Sequence, residues 1–446
     1  MASRPVDLLN ATAEDGFAPP DLTSFCRLDG LGLVVTGQCL QPDRAVLACR
    51  VVADDPWCGR CGAGGQVRDS VTRRLAHEPF GWRPTTLAIT LRRYHCTGCA
   101  HVWRQDMAGA AAPRAKLSRR ALTWALEALV VGHLSIARIA EAMGVSWGTA
   151  NGAVLEEGHR VLISDPGRFD GVRAIGVDEH VWRHTRRGDK YVIVVIDLTP
   201  VRDSTGPARL LDMVEGRSKA AFSAWLAARP KAWRDQVEVV AMDGFTGFKT
   251  ATVEQLPAAT TVMGPFHVVR LAGDALDRCR QRAQQQLHGH RGRKHDPLYA
   301  ARRTLHTGAD LLTHRQKARL DGLFADEGHT EVEVTWAVYQ RMVGAYRDPD
   351  RRQGRRVMQQ LITSLATGVP TALSEPATLG RTLKKRAGDI LAYFDRPGTS
   401  NGPTEAINGR LEHLRGSALG FRNLTNYIAR CLLEAGGFRP QLHPRL

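Results

Sequence analysis

Val237-Glu-Val-Val-Ala-Met-Asp-Gly-Phe245 is a short, mostly apolar run that ends abruptly in one carboxylate, Asp243, followed by Gly244. A buried strand has no use for an unpaired charge, because an apolar interior penalises the ionised form heavily. An Asp at the exit of such a run is therefore either a turn residue or a group aimed into a site at the strand's end. Alone, an Asp-Gly pair reads first as a turn. A second strand with the same habit, Arg173-Ala-Ile-Gly-Val-Asp178, shifts the balance. By the strand period of two, Ala174, Gly176 and Asp178 share one face, so small residues surround the second carboxylate.

Two inward carboxylates suggest a divalent-metal site, and a third candidate lies far downstream in Thr399-Ser-Asn-Gly-Pro-Thr-Glu405-Ala-Ile-Asn-Gly-Arg-Leu-Glu-His-Leu-Arg415. The Ser/Asn pair and Pro403 mark a helix start. On a 3.6-residue period Glu405, Asn408, Glu412 and Arg415 form one stripe, and Ile407, Leu411 and Leu414 the opposite one. Glu405 then stands in the first turn of an amphipathic helix, where a merely solvated face is the competing explanation. Glu412 lies two turns on, about 10 Å away at ~1.5 Å of rise per residue, which makes it the weaker third ligand. Hard oxygen donors on rigid elements suit Mg²⁺ or Mn²⁺, and two such ions can clamp both oxygens of an in-line phosphoryl displacement.

The segments Gly-Val-Asp178-Glu, Ala-Met-Asp243-Gly-Phe and Ser-Asn-Gly-Pro-Thr-Glu405-Ala-Ile-Asn-Gly-Arg resemble the acidic triad of the DDE transposases, and more narrowly the ISL-three family of bacterial insertion sequences. Leu256-Pro-Ala-Ala, Phe266-His-Val-Val-Arg270 and Gly420-Phe-Arg-Asn423 match that family too, and the resemblance runs over nearly the whole chain. It implies an α/β RNase H-like catalytic core with metal-dependent DNA cleavage and strand transfer by Asp178, Asp243 and Glu405 holding magnesium or manganese. It also implies terminal inverted repeats and target DNA as partners, and a homo-oligomer when the ends are synapsed. The chain departs from the family at Gly264-Pro265, where relatives carry an Asp ahead of Phe-His. That removes any ready role for His267, which reads as a structural histidine.

At 446 residues the chain has room for two to four domains. With 61 Lys+Arg against 45 Asp+Glu, its formal charge of +16 favours a polyanionic partner. No apolar run approaches the ~18–20 residues of a membrane span, and no signal peptide with a hydrophobic core opens the sequence, so a cytoplasmic protein is expected. Ala13-Glu-Asp-Gly-Phe-Ala-Pro-Pro20 reads as a loose N-terminal lead.

Four of the nine cysteines sit in paired Cys-x-x-Cys units, Trp57-Cys58-Gly-Arg-Cys61 and His95-Cys96-Thr-Gly-Cys99. Two such knuckles can supply the four thiolates of a structural Zn²⁺; an inert or redox-active set is the alternative. The 34 residues between Cys61 and Cys96 exceed what a compact zinc ribbon needs. They must therefore build a hairpin, with Leu87-Ala-Ile-Thr-Leu91 its clearest strand. Leu31–Thr36 and Ala45–Val52 read as an earlier hairpin. Cys26, Cys39, Cys49, Cys279 and Cys431 have no partner at ligand spacing and read as small apolar residues.

From Ala115 to Arg160 the pattern turns helical, with Leu122, Ala125, Leu126, Leu129 and Val130 as one stripe. In Leu134-Ser-Ile-Ala-Arg-Ile-Ala-Glu-Ala-Met-Gly-Val-Ser-Trp-Gly-Thr-Ala150, Ser135 and Ser146 can cap successive helices and Gly144 makes the turn between them. Ile136, Ile139, Ala140, Met143 and Val145 would be the buried face. That is a helix-turn-helix signature offering Trp147, Thr149 and Asn151 to a DNA groove, and an ordinary helical hairpin gives the same pattern.

After a linker at Asp165–Arg168, strands are predicted near 172–181, 190–198, 208–214 and 237–242. A helix begins near Ser218 and another spans 247–256; a strand over 260–263 precedes a long helix from Pro265. Lys190-Tyr-Val-Ile-Val-Val-Ile-Asp197 is apolar throughout, as a central strand should be, with Asp197 as strand-end polarity rather than a ligand. Glu405 lies 162 positions after Asp243, and from about Leu287 to Ile390 the stretch between is Arg-rich and helical in habit, with clusters at Arg291–His295 and Arg351–Arg356. These read as solvated surface or as phosphate contacts. The expected division is residues 1–110 for the hairpin and zinc ribbon, 111–165 for the helix-turn-helix, 170–286 for the first part of the core, 287–390 for a helical insertion and 391–446 for the last part of the core. A non-catalytic DNA-binding regulator and an RNase H-like nuclease or resolvase are the rival readings.

Overall fold

The computed structural model describes residues 19–185, 189–418 and 420–443. Most of the lead expected over 13–20 lies outside them. Two compact units emerge, one from the residues up to Ser164 together with those from Phe438 on, the other from Asp165 to Gly437.

The first unit is built on a sheet of five strands in the order β1-β2-β4-β3, with β5 (Val102–Arg104) on the end of β4. β1 (Leu33–Leu40) and β2 (Ala45–Val51) are the expected antiparallel hairpin. β3 (Gly65–Phe80) and β4 (Arg83–Cys96) form a much longer one. Its cause is visible in β4: Leu87, Ile89 and Leu91 are fully buried, while Thr86, Ala88 and Thr90 between them face outward. With Leu33, Leu47 and Leu75 they make the unit's core. Cys49 joins that core, but Cys39 is exposed near the end of the edge strand and is not the small core residue its composition suggested.

Three helices follow in the same unit, α1 (Arg119–Val130), α2 (Ile136–Met143) and α3 (Trp147–Gly158). The Ser135 hydroxyl accepts from the Arg138 N–H and the Ser146 hydroxyl from the Thr149 N–H, as a cap should. Gly144 closes α2 in the left-handed conformation at φ 64°. Ile136, Ile139, Ala140 and Met143 are buried together with Ala142, while Val145 is only half-buried because it already lies in the turn.

The second unit centres on another five-stranded sheet in the order β10-β9-β6-β7-β8. β6 (Ala174–Val181), β7 (Tyr191–Asp197) and β8 (Arg209–Glu215) run antiparallel in sequence order. β9 (Val239–Met242) and β10 (Thr260–Met263) then add parallel on the other side of β6. Every residue from Val192 to Asp197 is buried, which the unbroken apolar run required of an interior strand. α4 (Lys219–Ala227), capped by Ser218, and α5 (Thr246–Gln255) bring Phe222, Trp225, Leu226 and Phe248 onto the sheet. α6 (Pro265–His288) starts with its Pro at the first position.

The stretch expected as a linker, Asp165–Arg168, lies where the two units divide and is an ordered turn. The Asp165 carboxylate accepts from the Gly167 N–H at 2.9 Å, and the Arg168 side chain is buried, donating to the Leu211 carbonyl. A long cation with a backbone acceptor in reach holds the chain against the sheet at this point.

The interruption between Asp243 and Glu405 is helical throughout its longer elements: α7 (Pro297–Leu305), α8 (His314–Phe324), α9 (Thr330–Arg347), α10 (Arg351–Ala366), α11 (Ser374–Lys385) and α12 (Ala387–Asp395). Together with α6 these helices build a core cluster distinct from the one on the sheet. Val268 and Leu276 of α6 share one cluster with Met342, Met358, Leu361, Leu383 and Ile390. Part of the Arg351–Arg356 cluster is structural: Arg351 donates to the carbonyls of Tyr393 and Phe394, and Arg355 pairs with Asp395. Arg352 and Arg356 remain exposed. α13 (Gly402–Ser417) and α14 (Leu424–Ala435) complete the unit.

Candidate functional site

Strand register brings the first two carboxylates together. Val177 of β6 pairs in parallel with Met242 of β9. Asp178 and Asp243 are therefore the next residues of two adjacent parallel strands, whose backbones run about 4.8 Å apart. α13 crosses this end of the sheet. Gly176 is what lets it come close, since a Cβ there would meet Thr404 Oγ1 at 2.4 Å. With Thr404, Ile407, Leu411 and Leu414 buried beneath it, the helix directs Glu405 and Asn408 into the opening.

Asp178, Asp243 and Glu405 line one open cleft of about 790 Å³ with Glu179, His267, Arg270, Asn408 and Glu412 among its other walls. The Asp178 carboxylate is fixed at both oxygens: Oδ1 accepts from the Glu179 N–H at 2.8 Å and Oδ2 from Asn408 Nδ2 at 3.0 Å. Asp243 Oδ1 accepts from the Phe245 N–H at 2.8 Å. Burial, reinforced by the negative charges of Glu405 and Asp243, pushes the Asp178 carboxyl up to about 7. Burial also raises Glu179. His180, two residues beyond Asp178 on β6 and buried, is pushed down to about 4 by burial, and its Nε2 meets the Tyr427 hydroxyl at 2.6 Å.

Such a cluster of carboxylates is strained against itself and is relieved by a cation. The donor set fits a hard divalent ion: three carboxylates and the Asn408 Oδ1, a buried oxygen with no hydrogen-bond partner. The carboxylates line the cleft without closing on one another as the cysteines do, for among the described residues the four thiols are the set whose ligand atoms lie within 4.8 Å of each other.

Several features of this end were not apparent from the sequence. His267 is no isolated core residue: its Nε2 lies 3.4 Å from Glu405 Oε1 and 3.5 Å from Asn401 Nδ2. α13 starts directly after Asn401, as the Ser/Asn pair and Pro403 signalled, but the Asn401 side chain makes no cap; it is buried against Gly264, where a Cβ would come within 3.0 Å of it. The glycine that replaces the family's Asp thus makes room for the Asn. Arg415 is not on the open stripe either. It is buried and donates to the Val181 carbonyl at 2.7 Å, while also pairing with Glu412. The helical period places Asn408 on the Glu405 stripe, but it gives no sign of the bond to Asp178.

In the other unit, the hairpin β3–β4 carries both cysteine pairs to one place. Cys58 Sγ and Cys99 Sγ are 3.7 Å apart and Cys61 Sγ and Cys96 Sγ 3.4 Å. A tetrahedron with ~2.3 Å metal–sulfur bonds has edges of about 3.8 Å, so the set could hold one zinc. The backbone N–H groups of Cys99 and Gly98 point at Cys96 Sγ, and the Cys99 N–H is the main reason its thiol is pulled down to about 6. His95 and His101 stand outside the four-thiol set. Of the residues read as facing DNA, Trp147 is 56 % exposed at the first position of α3, whereas Thr149 and Asn151 are half-buried. The Thr149 hydroxyl is also held by Ser146 at 2.9 Å.

Among the described residues no helix is long and apolar enough to cross a membrane. A family model described as Transposase, of the DDE ISL-three type, matches residues 175–431. Two curated proteins, each described as the transposase for insertion sequence element IS1557, come from the CDC 1551 / Oshkosh and H37Rv strains of Mycobacterium tuberculosis. Each is 25 % identical to this chain over 426 residues, covering 87 % of it and 89 % of the relative.

Proposed function

From the premise that this chain belongs to the ISL-three family of DDE transposases, we propose that Asp178, Asp243 and Glu405 are the catalytic carboxylates of an RNase H-like core that cuts and rejoins DNA. The observation that carries this reading is their convergence on one cleft from β6, from the end of β9 and from the first turn of α13. The strand order, with three antiparallel strands and then two parallel ones beside the first, supports the fold assignment.

When bound, Mg²⁺ or Mn²⁺ in this cleft supplies Lewis acidity to the attacking water or 3′-hydroxyl and to the leaving oxygen. The protein's own part is positional. The Glu179 N–H and Asn408 hold Asp178 in one orientation, and the Phe245 N–H does the same for Asp243. Glu405 is the most exposed of the three and meets the cleft from the opposite side. Arg270, exposed at the cleft's wall, supplies a cation for a phosphate. No covalent enzyme intermediate is required.

The first unit is assigned end binding. Cys58, Cys61, Cys96 and Cys99 hold a structural zinc, and α2–α3 act as a helix-turn-helix with Trp147, Thr149 and Asn151 toward the terminal inverted repeats. The test measures Mn²⁺-dependent cleavage and repeat binding on the same variants. Asp178→Asn, Asp243→Asn and Glu405→Gln should each lower cleavage about a hundredfold or more while binding repeats normally, and Trp147→Ala should weaken repeat binding. Normal cleavage by any of the three amides would refute its assignment. The same assay with pre-cut ends separates a transposase, which joins them to target DNA, from a nuclease or resolvase.

A further inference from the structure

The helical insertion ends in a buried polar network that reaches the loop carrying Asp243. Arg386, between α11 and α12 and 6 % exposed, donates from NH1 to the Gly244 carbonyl at 3.2 Å. Asp389, 3 % exposed, accepts twice from Lys249 Nζ at 2.9 Å and once from the Thr261 hydroxyl at 2.6 Å. Arg386 Nε stands 2.6 Å from Asp389 Oδ2. Lys249 belongs to α5, the helix directly after the Asp243 loop, and Thr261 to β10, the strand directly after that helix. One carboxylate from the insertion thus grips both elements that follow the loop, and its Arg partner grips the loop itself.

Holding a helix on a sheet edge does not need buried charges. Apolar packing would do it without burying an Arg and an Asp beside a half-buried Lys. What a network of this kind adds is direction. Gly244 is the residue after Asp243, and Asp243 Oδ1 already accepts the next N–H along, that of Phe245. Fixing the Gly244 carbonyl fixes the peptide plane from which that carboxylate is aimed. We propose that Arg386 and Asp389 are positioning residues for Asp243, so that the insertion is a structural arm of the carboxylate cleft rather than a separate module. The proposal rests on the reading of Asp243 as a metal ligand.

The full-length chain is tested without DNA, by isothermal titration with Mn²⁺ and by hydrogen–deuterium exchange of peptides spanning 243–248. Arg386→Gln and Asp389→Asn should each speed exchange in that loop and weaken Mn²⁺ binding about tenfold, the scale on which supporting partners of metal ligands act. Arg386→Lys, which keeps a donor, should recover part of both. Arg282→Gln serves as the control. It breaks an equally polar contact inside the helical region, to Glu331 and Glu375, remote from the cleft's lining. It should lower the melting temperature and leave both readouts alone. Unchanged loop exchange in Arg386→Gln, faster exchange with wild-type Mn²⁺ affinity, or an equal loss in Arg282→Gln would each overturn the proposal. If Asp243→Asn itself binds Mn²⁺ like wild type, the ligand reading fails, and the loop exchange still decides whether the clamp exists.

Discussion

The cysteine cluster and the carboxylate cleft are assembled alike and differ in how they finish. Each collects acidic side chains from distant sequence, 35 positions apart between the knuckles and 162 between Asp243 and Glu405. The thiols close on themselves at 3.4 and 3.7 Å, with backbone N–H groups turned toward the sulfur. The carboxylates stop short and leave a cleft of about 790 Å³. A centre whose ligands are all supplied by the protein has a structural role, whereas one that keeps positions open can admit water and substrate. The first should therefore contribute to folding and the second should weaken it.

The largest effect expected from this contrast is on the closed centre. Zinc bound by four thiolates contributes on the order of 10 kcal/mol to the folding of a small module, more than most domains have to spare. Cys96→Ser, or a strong chelator on the wild-type chain, should remove one zinc per chain and unfold the first unit. Metal analysis combined with limited proteolysis checks it: cleavage should spread through residues 19–164 and spare the second unit. A chain that never carried zinc, or a Cys96→Ser unit as resistant as wild type, would break the comparison on this side.

On the open side the sign reverses. Asp178 has a folded-state pKa of about 7 against an ordinary 3.8, because burial and its acidic neighbours penalise the ionised form. A carboxyl raised in the folded state costs nothing below pH 4, where it is protonated in both states. Its cost grows as pH rises between 4 and 7 and is complete above 7. Without divalent metal, the Asp178 contribution should fall over that window by a few kcal/mol at most. Buried His180, pushed down to about 4, contributes with the opposite sign, so the readout is the difference between wild type and Asp178→Asn. Asp178→Asn should lose that dependence and melt higher at pH 8, even though it cannot cut DNA. Melting curves at pH 5 and pH 8 in chelator test this. A stability difference between Asp178→Asn and wild type that is the same at pH 5 and pH 8, or an Asp178→Asn chain less stable at pH 8, would show that the cleft is not strained as described.

The same contrast explains what could be read from the sequence. Strands and their hidden ends were legible because burial imposes simple periods: the unbroken run in β7, the alternation in β4 and the abrupt carboxylates after Val177 and Met242. The caps at Ser135 and Ser146 were legible because capping is local. What failed was set by distant partners. Arg168, within the expected linker, and Arg415, on the expected open stripe, are both buried because a carbonyl from another element, Leu211 or Val181, was in reach. Asn401 marks the start of α13 as read, but its side chain is turned inward because Gly264 left room for it. The placement of Asn408 on Asp178, and the grip of Arg386 on Gly244, depend on contacts across 230 and 142 positions, which no local pattern encodes.

The smallest expected effect concerns Glu412, which lines the same cleft as Glu405 and so sharpens the claim that an open site tolerates bystanders. Glu412 is 56 % exposed at its side chain and paired with Arg415 three residues on. Arg415 does not depend on it, since the Val181 carbonyl and His184 Nε2 each hold the guanidinium at 2.7 Å. An ion pair with one partner this exposed is worth about 0–1 kcal/mol. Replacing it by the amide keeps the shape and leaves Arg415 anchored. Glu412→Gln should therefore change the melting temperature by no more than a few degrees and Mn²⁺-dependent cleavage by no more than a few-fold. Glu405→Gln, one carboxylate two turns earlier on the same helix, should abolish cleavage under the same conditions. If the two outcomes are exchanged, the third ligand is Glu412, and the cleft is organised around the middle of α13 rather than its first turn.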